Sequence, residues 1–391
     1  MNLKLLEYAL SSLGRHKVKH TFILIILTLM MTAAMSIFTI TSGLKTEAKH
    51  SINNLPDIVV QKLIGGRQQY IKEHLIDDII VIPGVNSATP RVWGHYYFEY
   101  LNTNLNIVGL DPFDPNLTET VLMITEDVDL SVLRNEKSML VGSKLQEIIK
   151  QIYGKDEFNF QKPDGEYITL KTAGVLSPES QMISTDTILT DIDSTKEILG
   201  IEEDYFTDFA VNVSNPQEIS TVAEKIQNIS TSYRVITKEV IQASYQNMFD
   251  YKGGLFLLFF ISSLMTFFMI VFDKLSGLSG TEAKEIAIMK SVGWATPDVL
   301  KVKIYEAIII TFTSYITSML LSMVYVYLLQ APGLKNIFLG YAYLKPHFDI
   351  PFSLDTTVLV SVFFVTVPVY IAAVIIPSWK SAKKDPGEVI R

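Results

Sequence analysis

Four long stretches without a charged residue constrain this chain more than any other feature. They cover residues 22–44, 253–272, 307–334 and 356–379, and none of them contains Lys, Arg, Asp or Glu. Each has at least the roughly twenty residues that a helix needs to cross about 30 Å of hydrocarbon. Because backbone amides in lipid must bond within their own segment, the stretches predict four transmembrane helices.

The polar segment between the first two stretches is large enough to be a separate domain. The sequence therefore predicts an α-helical membrane protein with four transmembrane helices and a large mixed α/β extracytoplasmic (periplasmic) domain inserted between the first and second helices. The predicted layout is a cytoplasmic amphipathic helix at 1–20, transmembrane helices at 21–44, 253–272, 307–334 and 356–379, the extracytoplasmic domain at 45–252, a cytoplasmic loop at 273–306, a short external loop at 335–355 and a cytoplasmic tail at 380–391.

The charge distribution predicts the orientation of the chain across the membrane. Residues 45–252 hold 18 Lys and Arg against 31 Asp and Glu, a net charge of −13, whereas the rest of the chain carries +5. Basic residues remain on the cytoplasmic side of a membrane, so both termini are predicted to be cytoplasmic and the insert external. The alternative for the first stretch is a cleaved signal peptide, but its apolar run is longer than the 7–15 residues typical of one.

The insert has the pattern of a mixed α/β domain. Strand candidates lie at 57–61, 92–101, 105–110, 139–141, 167–175 and 209–213, and helix candidates at 70–82, after Gly142, and at 216–229. Their order predicts a porter-like part formed by 45–111 and 209–252, interrupted by an inserted subdomain at 112–208. The absence of cysteine excludes disulfides, so this domain depends on its own apolar core.

The first residues of the chain predict an amphipathic helix. Apolar residues recur at spacings of three and four, which is typical of a helix lying in the membrane interface. The alternative is a simple continuation of the first transmembrane helix, although Gly14 marks a bend. The residues of this predicted interfacial helix are Leu3, Leu6, Leu10, Leu13, Arg15 and Lys17.

The segment between the second and third stretches predicts two helices that meet at a tight corner. Residues 281–292 place Ile286, Met289 and Val292 on one helical face, and Gly293 follows where a helix end favours a left-handed residue. Trp294 and Ala295 form the turn. Thr296, Pro297 and Asp298 then provide an N-cap hydroxyl, a proline at the first helical position and an acid in the first turn. Two interpretations of the corner remain open: it transmits force between the helices, or it is a stable connecting loop without a mechanical role.

Signatures of catalysis and metal binding are missing from the sequence. No phosphate-binding G-x-x-x-x-G-K-[ST] loop, H-E-x-x-H or G-x-S-x-G occurs, and the six histidines are scattered. Met30, Met31 and Met35 are typical of packing in an apolar helix rather than of copper binding. The acidic run at 202–204 is interpreted as a solvated turn, with calcium binding as the alternative. We therefore predict no catalytic, cofactor-binding or metal residue and no enzyme activity in this chain.

Three terminal and cytoplasmic segments together resemble one family. Residues 285–293, with 298–300 and 306–307 after them, resemble the cytoplasmic motif of MacB/FtsX/LolC-like permeases, the type VII ABC transporters. The end of the chain, with Pro377, Trp379, Asp385 and Pro386, looks like the closing motif of the same family, and residues 9–17 are similar to its amphipathic start. Shorter, weaker matches at 82–85, 108–112, 141–142 and 174–176 extend the resemblance through the insert.

The resemblance implies a permease subunit that works with a separate motor. It implies a dimer, more often of identical copies, in which each copy binds a cytoplasmic ABC ATPase carrying the ATP and Mg²⁺. It also implies a bacterial inner membrane location, movement of the periplasmic domains, a periplasmic adaptor or lipoprotein as a further partner, and no nucleic acid. The ATPase contact falls on the coupling helix and corner, at Glu285, Gly293, Trp294, Thr296, Pro297, Asp298, Val299, Leu300 and Lys301.

Two functions follow from the resemblance. The first is ATP-driven export or extraction of an amphiphilic, peptide or lipid-linked substrate. The alternative is an FtsX-like scaffold that transmits a signal and activates a periplasmic cell-wall hydrolase. An insert of about 208 residues is large for a scaffold, which favours transport. One departure from the family is the segment 282–285, which is less basic than usual and leaves the identity of the ATPase open.

Overall fold

The structure is a computed structural model that describes residues 3–53, 55–111, 137–176, 186–276, 281–339, 349–353 and 355–383. Its helices, in chain order, are α1 (Leu3–Arg15), α2 (Lys17–Asn53), α3 (Ile76–Ile80), α4 (Ser143–Tyr153), α5 (Ile192–Leu199), α6 (Ile219–Ile229), α7 (Lys238–Ser276), α8 (Thr281–Ser291), α9 (Thr296–Met323), α10 (Leu334–Leu339) and α11 (Thr356–Lys383). Its strands are β1 (Ile58–Ile64), β2 (Arg67–Gln69), β3 (Ile71–Lys72), β4 (Val85–Phe98), β5 (Thr103–Leu110), β6 (Ser138–Gly142), β7 (Glu157–Gln161), β8 (Tyr167–Leu176), β9 (Thr187–Asp191), β10 (Tyr205–Phe206), β11 (Asp208–Val213) and β12 (Tyr233–Thr237).

The chain divides into two units. The helical unit comprises Met1–Leu44, Met248–Phe338 and Ile350–Arg391, and the sheet unit comprises Lys45–Asn247 and Leu339–Asp349. The helical unit contains the four apolar stretches, and the acidic insert forms almost all of the sheet unit. The division therefore follows the change in polarity along the sequence.

Each predicted apolar stretch overlaps a helix long and apolar enough to cross a membrane. The four segments are Lys17–Lys49, Lys238–Asp273, Thr296–Leu328 and Thr356–Lys383. The helices α2, α7 and α9 begin before their apolar runs, in polar flanking residues. The prediction of four long apolar helices is confirmed, whereas their exact membrane boundaries stay predictions.

The third apolar stretch is not helical to its predicted end at residue 334. After α9 a short π-helical segment covers Val324–Leu328, and the backbone then turns. Gln330 and Ala331 have φ values of 56° and 46°, and Pro332 follows them. A proline disfavours the helical conformation of the residue before it, so the helix cannot continue through this point.

The helical unit packs through apolar side chains, and several of its buried hydroxyl groups bond within their own helix. Its main core joins side chains of α2, α7, α9 and α11, with Leu27, Met31 and Met35 among the fully buried ones. The Thr311 hydroxyl donates to the Ala307 carbonyl one turn earlier at 2.8 Å, whereas the Ser36 hydroxyl of α2 donates to Ser322 of α9 at 3.1 Å. Such bonding lowers the cost of burying a hydroxyl group in an apolar environment.

The sheet unit is built on one continuous sheet. Its strand order is β12-β1-β11-β4-β5-β9-β6-β8-β7, with β2 beside β1, and β3 pairs with β10 in a separate small sheet. Neighbouring strands are antiparallel except for the pairs β5–β9 and β6–β8, which are parallel. Three apolar clusters lie against the described part of the sheet. One involves β1, β11, α3 and α6, a second involves β5 to β9 with α4, and a smaller third consists of leucines of β5, β6, β8 and β9.

Most strand and helix predictions for the insert are confirmed, with one clear exception. The segment 70–82 was predicted to be a helix throughout, but it contains β3, a 3₁₀ turn at Glu73–Leu75 and the single turn of α3. Here the pairing of Ile71 with Phe206 in the small sheet overrides helix propensity. The parallel pairing of β5 with β9 joins the two predicted parts, 45–111 with 209–252 and 112–208, in one sheet. Residues 112–136 lie outside the described residues, so the boundaries of that division stay predictions.

Candidate functional site

The predicted corner is closed by a hydrogen-bond pattern specific to a helix ending in a left-handed glycine. At the end of α8, the Gly293 amide donates to the Lys290 carbonyl at 3.0 Å and the Trp294 amide donates to the Met289 carbonyl at 3.1 Å. Gly293 has a φ of 98°, which glycine adopts without strain. This pair of bonds is the Schellman motif, in which a contact between the residue after the glycine and the last helical turn is common. The predicted left-handed glycine is confirmed.

The start of α9 differs from the prediction. Ala295 is the N-cap, no side chain caps the helix, and Thr296 and Pro297 are the first two helical residues. The predicted N-cap hydroxyl of Thr296 and the predicted first position of Pro297 are therefore wrong by one residue. The Ala295 carbonyl already accepts hydrogen bonds from the amides of Asp298 and Val299, at 2.9 and 3.2 Å, so the helix begins one residue earlier.

Trp294 brings separate parts of the chain together at this corner. Its ring lies 5.0 Å from the ring of Tyr8 in α1, measured between centroids. It packs against a buried cluster of Ile286, Met289, Val299 and Ala382 and against a second cluster of Leu5, Ala9 and Val302. Because these residues belong to α1, α8, α9 and the end of α11, one aromatic side chain contacts the apolar surfaces of the N-terminal, corner and C-terminal segments.

The outer face of the corner exposes apolar side chains. Val292 is 76% exposed and Ile288 is 56% exposed, although the sequence placed Val292 on the buried face with Ile286 and Met289. Val292 is the residue before the left-handed Gly293, where the helix ends, and its side chain faces outward. Pro297 and Lys301 are also exposed, and Lys301 pairs with Asp298 at 3.1 Å. Thr296 and Leu300 are partly buried, whereas Val299 is fully buried in the cluster below.

A second layer of the site consists of charged side chains around Glu285. Its carboxylate lies 3.7 Å from Arg15, 3.8 Å from His16 and 3.8 Å from Lys303. Lys303 also pairs with Glu306 at 2.8 Å, and both side chains are no more than 5% exposed. The network therefore links α1, α8 and α9 through opposite charges.

The sequence analysis did not identify Lys303 and Glu306 as site residues. They lie three residues apart at the start of the third apolar helix, and Glu306 entered only as part of the family resemblance. Lys and Glu are almost never fully buried unless they are paired. The sequence did contain a signal for this pair, namely a Lys and a Glu on one helical face next to an apolar run. It did not indicate that Lys303 also pairs with Glu285, which belongs to the preceding helix.

The predicted interfacial helix exists as α1, but its leucine stripe is not the face that packs against α9. The buried face consists of Leu5, Ala9 and Ser12, whereas Leu10 is 52% exposed. Leu6 and Leu13 are partly buried, and Lys17 is exposed at the first turn of α2. The break between α1 and α2 falls at His16 rather than at Gly14. The placement of this stripe in a membrane interface stays a prediction.

Arg15 sits at the junction of the aromatic contact and the charge network. Its guanidinium lies over the ring of Tyr8, 5.1 Å from the centroid. A hydrogen bond with Tyr8 raises the pKa of Arg15 above its ordinary value against the opposing effect of desolvation, and charge interactions with Tyr8 and Glu285 add to the increase. Arg15 is therefore a permanent cation at this position.

The C-terminal motif is described only in part. Pro377 is buried inside α11, and the Lys383 ammonium lies 3.7 Å from the centroid of the Trp379 ring. Lys290 of α8 donates to the carbonyl of Ala382 at 2.6 Å, which attaches the end of α11 to the corner. Asp385 and Pro386 lie outside the described residues.

Among the described residues, the structure contains no group of three or more His, Asp or Glu side chains that would hold a metal ion. The corner combines an apolar exposed rim, a glycine-closed turn and a buried charge network, in which the Ser12 hydroxyl donates to the Glu285 carboxylate at 3.5 Å.

Comparisons with known proteins agree with the two units. Residues 22–229 match the family model of the MacB-like periplasmic core domain, and residues 253–386 match the FtsX-like permease C-terminal model. No curated protein matched the sequence. One similar solved structure is the extracellular domain of the noncanonic ABC-type transporter YknZ from Gram-positive bacteria, with 13% identity, a TM-score of 0.30, and coverage of 46% of this chain and 99% of that chain. A TM-score this low does not establish a shared fold.

The first family model covers more than half of the chain, and the second covers most of the remainder, including the corner. Both families are those of membrane-spanning permeases, whose cytoplasmic partner is an ATPase. The chain belongs to the MacB-like and FtsX-like permeases, and it is the multi-pass permease subunit of an ABC transporter with an extracellular domain.

Proposed function

We propose that this permease converts ATP hydrolysis by a separate cytoplasmic subunit into movement of its sheet unit, for export or extraction of an amphiphilic, peptide or lipid-linked substrate. The observation that supports the proposal best is the corner between α8 and α9. It exposes apolar residues on a turn that Gly293 closes, and Trp294 packs against α1 and the end of α11. A displacement of this corner would reach those segments together, because Trp294 packs against a cluster from each of them.

The proposed ATPase contact is the exposed rim of the corner. Val292 and Ile288 provide apolar surface, and Lys301 and Asp298 provide charges that can pair across an interface. Apolar side chains at the centre and charges at the rim are typical of protein interfaces. In this proposal, ATP and Mg²⁺ are bound by the partner, and this chain contributes no residue to hydrolysis.

The contact is tested by copurifying the full chain with its cognate ATPase. We expect Val292→Asp to abolish or strongly reduce stimulation of ATP hydrolysis, because a carboxylate would be buried in the interface. Val81→Asp is a matched control, since Val81 is equally exposed at 76% but belongs to the sheet unit. Gly293→Pro, or reversal of the charges of Asp298 and Lys301, should also uncouple the two subunits. Normal binding and stimulation in Val292→Asp would exclude this surface as the contact.

The proposed orientation has both termini in the cytoplasm and the sheet unit outside the inner membrane. The absence of native cysteine makes single-cysteine labelling unambiguous. In intact cells, or in spheroplasts if an outer membrane is present, Val81→Cys should react with a membrane-impermeant maleimide. Val292→Cys should react only after the membrane is permeabilised. The reverse pattern would overturn the orientation and the ATPase contact together.

The assembly is proposed to be a homodimer with a periplasmic adaptor or lipoprotein as a further partner. Crosslinking of the full chain in native membranes, followed by identification of captured periplasmic proteins, tests this proposal. An adaptor or lipoprotein would support transport. Capture of a cell-wall hydrolase alone would instead support the FtsX-like scaffold.

A further inference from the structure

A cavity of about 530 Å³ lies among the four long apolar helices of the helical unit, at the end of the bundle where α2 begins. Its walls are mostly apolar and come from α2, α7, α9 and α11. Phe22 and Ile270 line it and are each more than half exposed, so they form a rim on the outer surface of the bundle. Cavities of this size hold small ligands, and apolar walls suit an acyl chain.

The polar end of the cavity is chemically specific. Lys19, Lys303 and Glu306 line it together. Glu306 is 4% exposed, and one of its carboxylate oxygens, Oε2, accepts from Lys303 at 2.8 Å. Its other oxygen, Oε1, is buried and has no hydrogen-bond partner among the described residues. A buried carboxylate oxygen without a donor is costly, so a donor from a ligand would be strongly favoured there.

The charges around Glu306 restrict the identity of this donor. Lys303 is already shared between Glu306 and Glu285, at 2.8 and 3.8 Å. A ligand that carries an ammonium group would meet Glu306, and a phosphate beside that ammonium would meet the cation of Lys19. An acyl chain would then follow the apolar walls toward Ile310. A phospholipid with a primary-amine headgroup combines these three features in one molecule.

We propose that this cavity binds phosphatidylethanolamine from the adjacent leaflet, with its ammonium group donating to Glu306 Oε1. The inference is independent of the substrate and the ATPase contact proposed above. It places a structural or regulatory lipid beside the charge network that connects Glu306, Lys303 and Glu285. The distinguishing chemistry is the N–H donor, which phosphatidylcholine lacks because its nitrogen is fully methylated.

The test is native mass spectrometry of the full-length chain with equimolar phosphatidylethanolamine and phosphatidylcholine of identical acyl chains. We expect the wild-type chain to prefer phosphatidylethanolamine by about tenfold, as one hydrogen bond to a charged group would give. Glu306→Gln should reduce this preference to less than about twofold by the same reasoning. Glu239→Gln, at an exposed glutamate of the sheet unit, should leave the preference unchanged. Equal binding of the two lipids by the wild-type chain, or an unchanged preference in Glu306→Gln, would overturn the proposal.

Three further measurements do not depend on the folding of Glu306→Gln. Stepwise N-methylation of the headgroup should lower binding to the wild-type chain at each step, because each methyl group removes a donor. Ile310→Trp, which fills the cavity, should lower occupancy by phosphatidylethanolamine several-fold. If Ile270→Cys forms a disulfide-linked dimer efficiently in membranes, a second copy covers the rim and the lipid proposal fails.

Discussion

Each of the two units buries an ion pair, but the carboxylates of the two pairs differ in how many of their oxygens accept hydrogen bonds. In the sheet unit, Arg91 of β4 donates to both carboxylate oxygens of Asp208, at 2.7 and 2.9 Å, and the indole of Trp93 donates to one of them at 2.8 Å. In the helical unit, Lys303 serves two carboxylates, and Glu306 and Glu285 each keep one buried oxygen without a hydrogen bond among the described residues.

The difference lies in how completely the carboxylates are bonded. Both oxygens of Asp208 accept hydrogen bonds, and the Arg91–Asp208 pair joins directly opposite residues of β4 and β11. The network around Glu306 retains unused acceptor capacity, which a ligand or a rearrangement can satisfy. This network links residues of α1, α8 and α9.

The largest effect is expected from breaking the complete pair. Asp208→Ala leaves the guanidinium of Arg91 and the indole N–H of Trp93 without an acceptor, so we expect a loss of about 3 kcal/mol in the stability of the sheet unit. Thermal unfolding of the full chain followed by tryptophan fluorescence measures this loss. Arg91→Met/Asp208→Leu should not restore full stability, since the Trp93 N–H remains unpaired. A fully stable double variant would contradict the assignment of Asp208 as a three-bond acceptor.

Breaking the incomplete network should reduce stability less than breaking the complete pair, but it should reduce stimulation of the ATPase more. Lys303→Met leaves Glu306 buried without its cation, and we expect a loss of about 2 kcal/mol because a buried charge without a partner is destabilising. Lys303→Met/Glu306→Leu should recover most of that stability, unlike the double variant of the sheet unit. Thermal melts in detergent measure stability, and stimulation of the ATPase measures coupling. Coupling that is unaffected in the stable double variant would mean that the network has no role in it.

The glycine at the corner provides a smaller test that concerns the backbone alone. Gly293→Ala places a side chain at a φ of 98° and should cost about 1–2 kcal/mol locally. Gly14→Ala is the contrasting variant, because Gly14 lies inside α1 with no atom within 4 Å of the added methyl group. It should stabilise α1 by about 0.5–1 kcal/mol. Hydrogen exchange at the ends of α8 and α1 measures both effects, and equal behaviour of the two variants would contradict the backbone argument.

The smallest expected effect concerns a single partly buried carboxyl group of the sheet unit, that of Asp186. Burial raises the pKa of Asp186 above its ordinary value of 3.8. A raised pKa in the folded state means that its favourable contribution is complete below the ordinary value and is lost as the pH rises through the raised value. Asp186→Asn should therefore be slightly more stable than the parent above this range and equal to it below. A stability difference that does not change with pH would contradict this expectation.

The positions of several helices, strands and turns could be predicted from residues close together in sequence. The four helices follow from uncharged runs, since hydrocarbon tolerates only segments that bond internally. The strands at 58–64 and 167–176 follow from local runs of branched and aromatic residues. The left-handed turn at Gly293 was predictable because glycine alone adopts that conformation without strain. The prediction of a helix at 70–82 was wrong because residues 71–72 pair with residues 205–206 in a small sheet. A local sequence pattern does not identify such a distant strand partner.

The sequence by itself determined which segments form the four long apolar helices, which segment forms the α/β insert, and where the corner turns, because each of these depends on polarity or backbone freedom within a short window. Tertiary structure alone decided that Tyr8 meets Trp294 and that Glu285 meets Arg15 and Lys303. It also decided that Val292 faces outward and that one oxygen of Glu306, beside a cavity, has no hydrogen bond from any residue that the structure describes. The physical reason is that electrostatic and packing energies depend on distances of a few ångströms between residues that can be hundreds of positions apart.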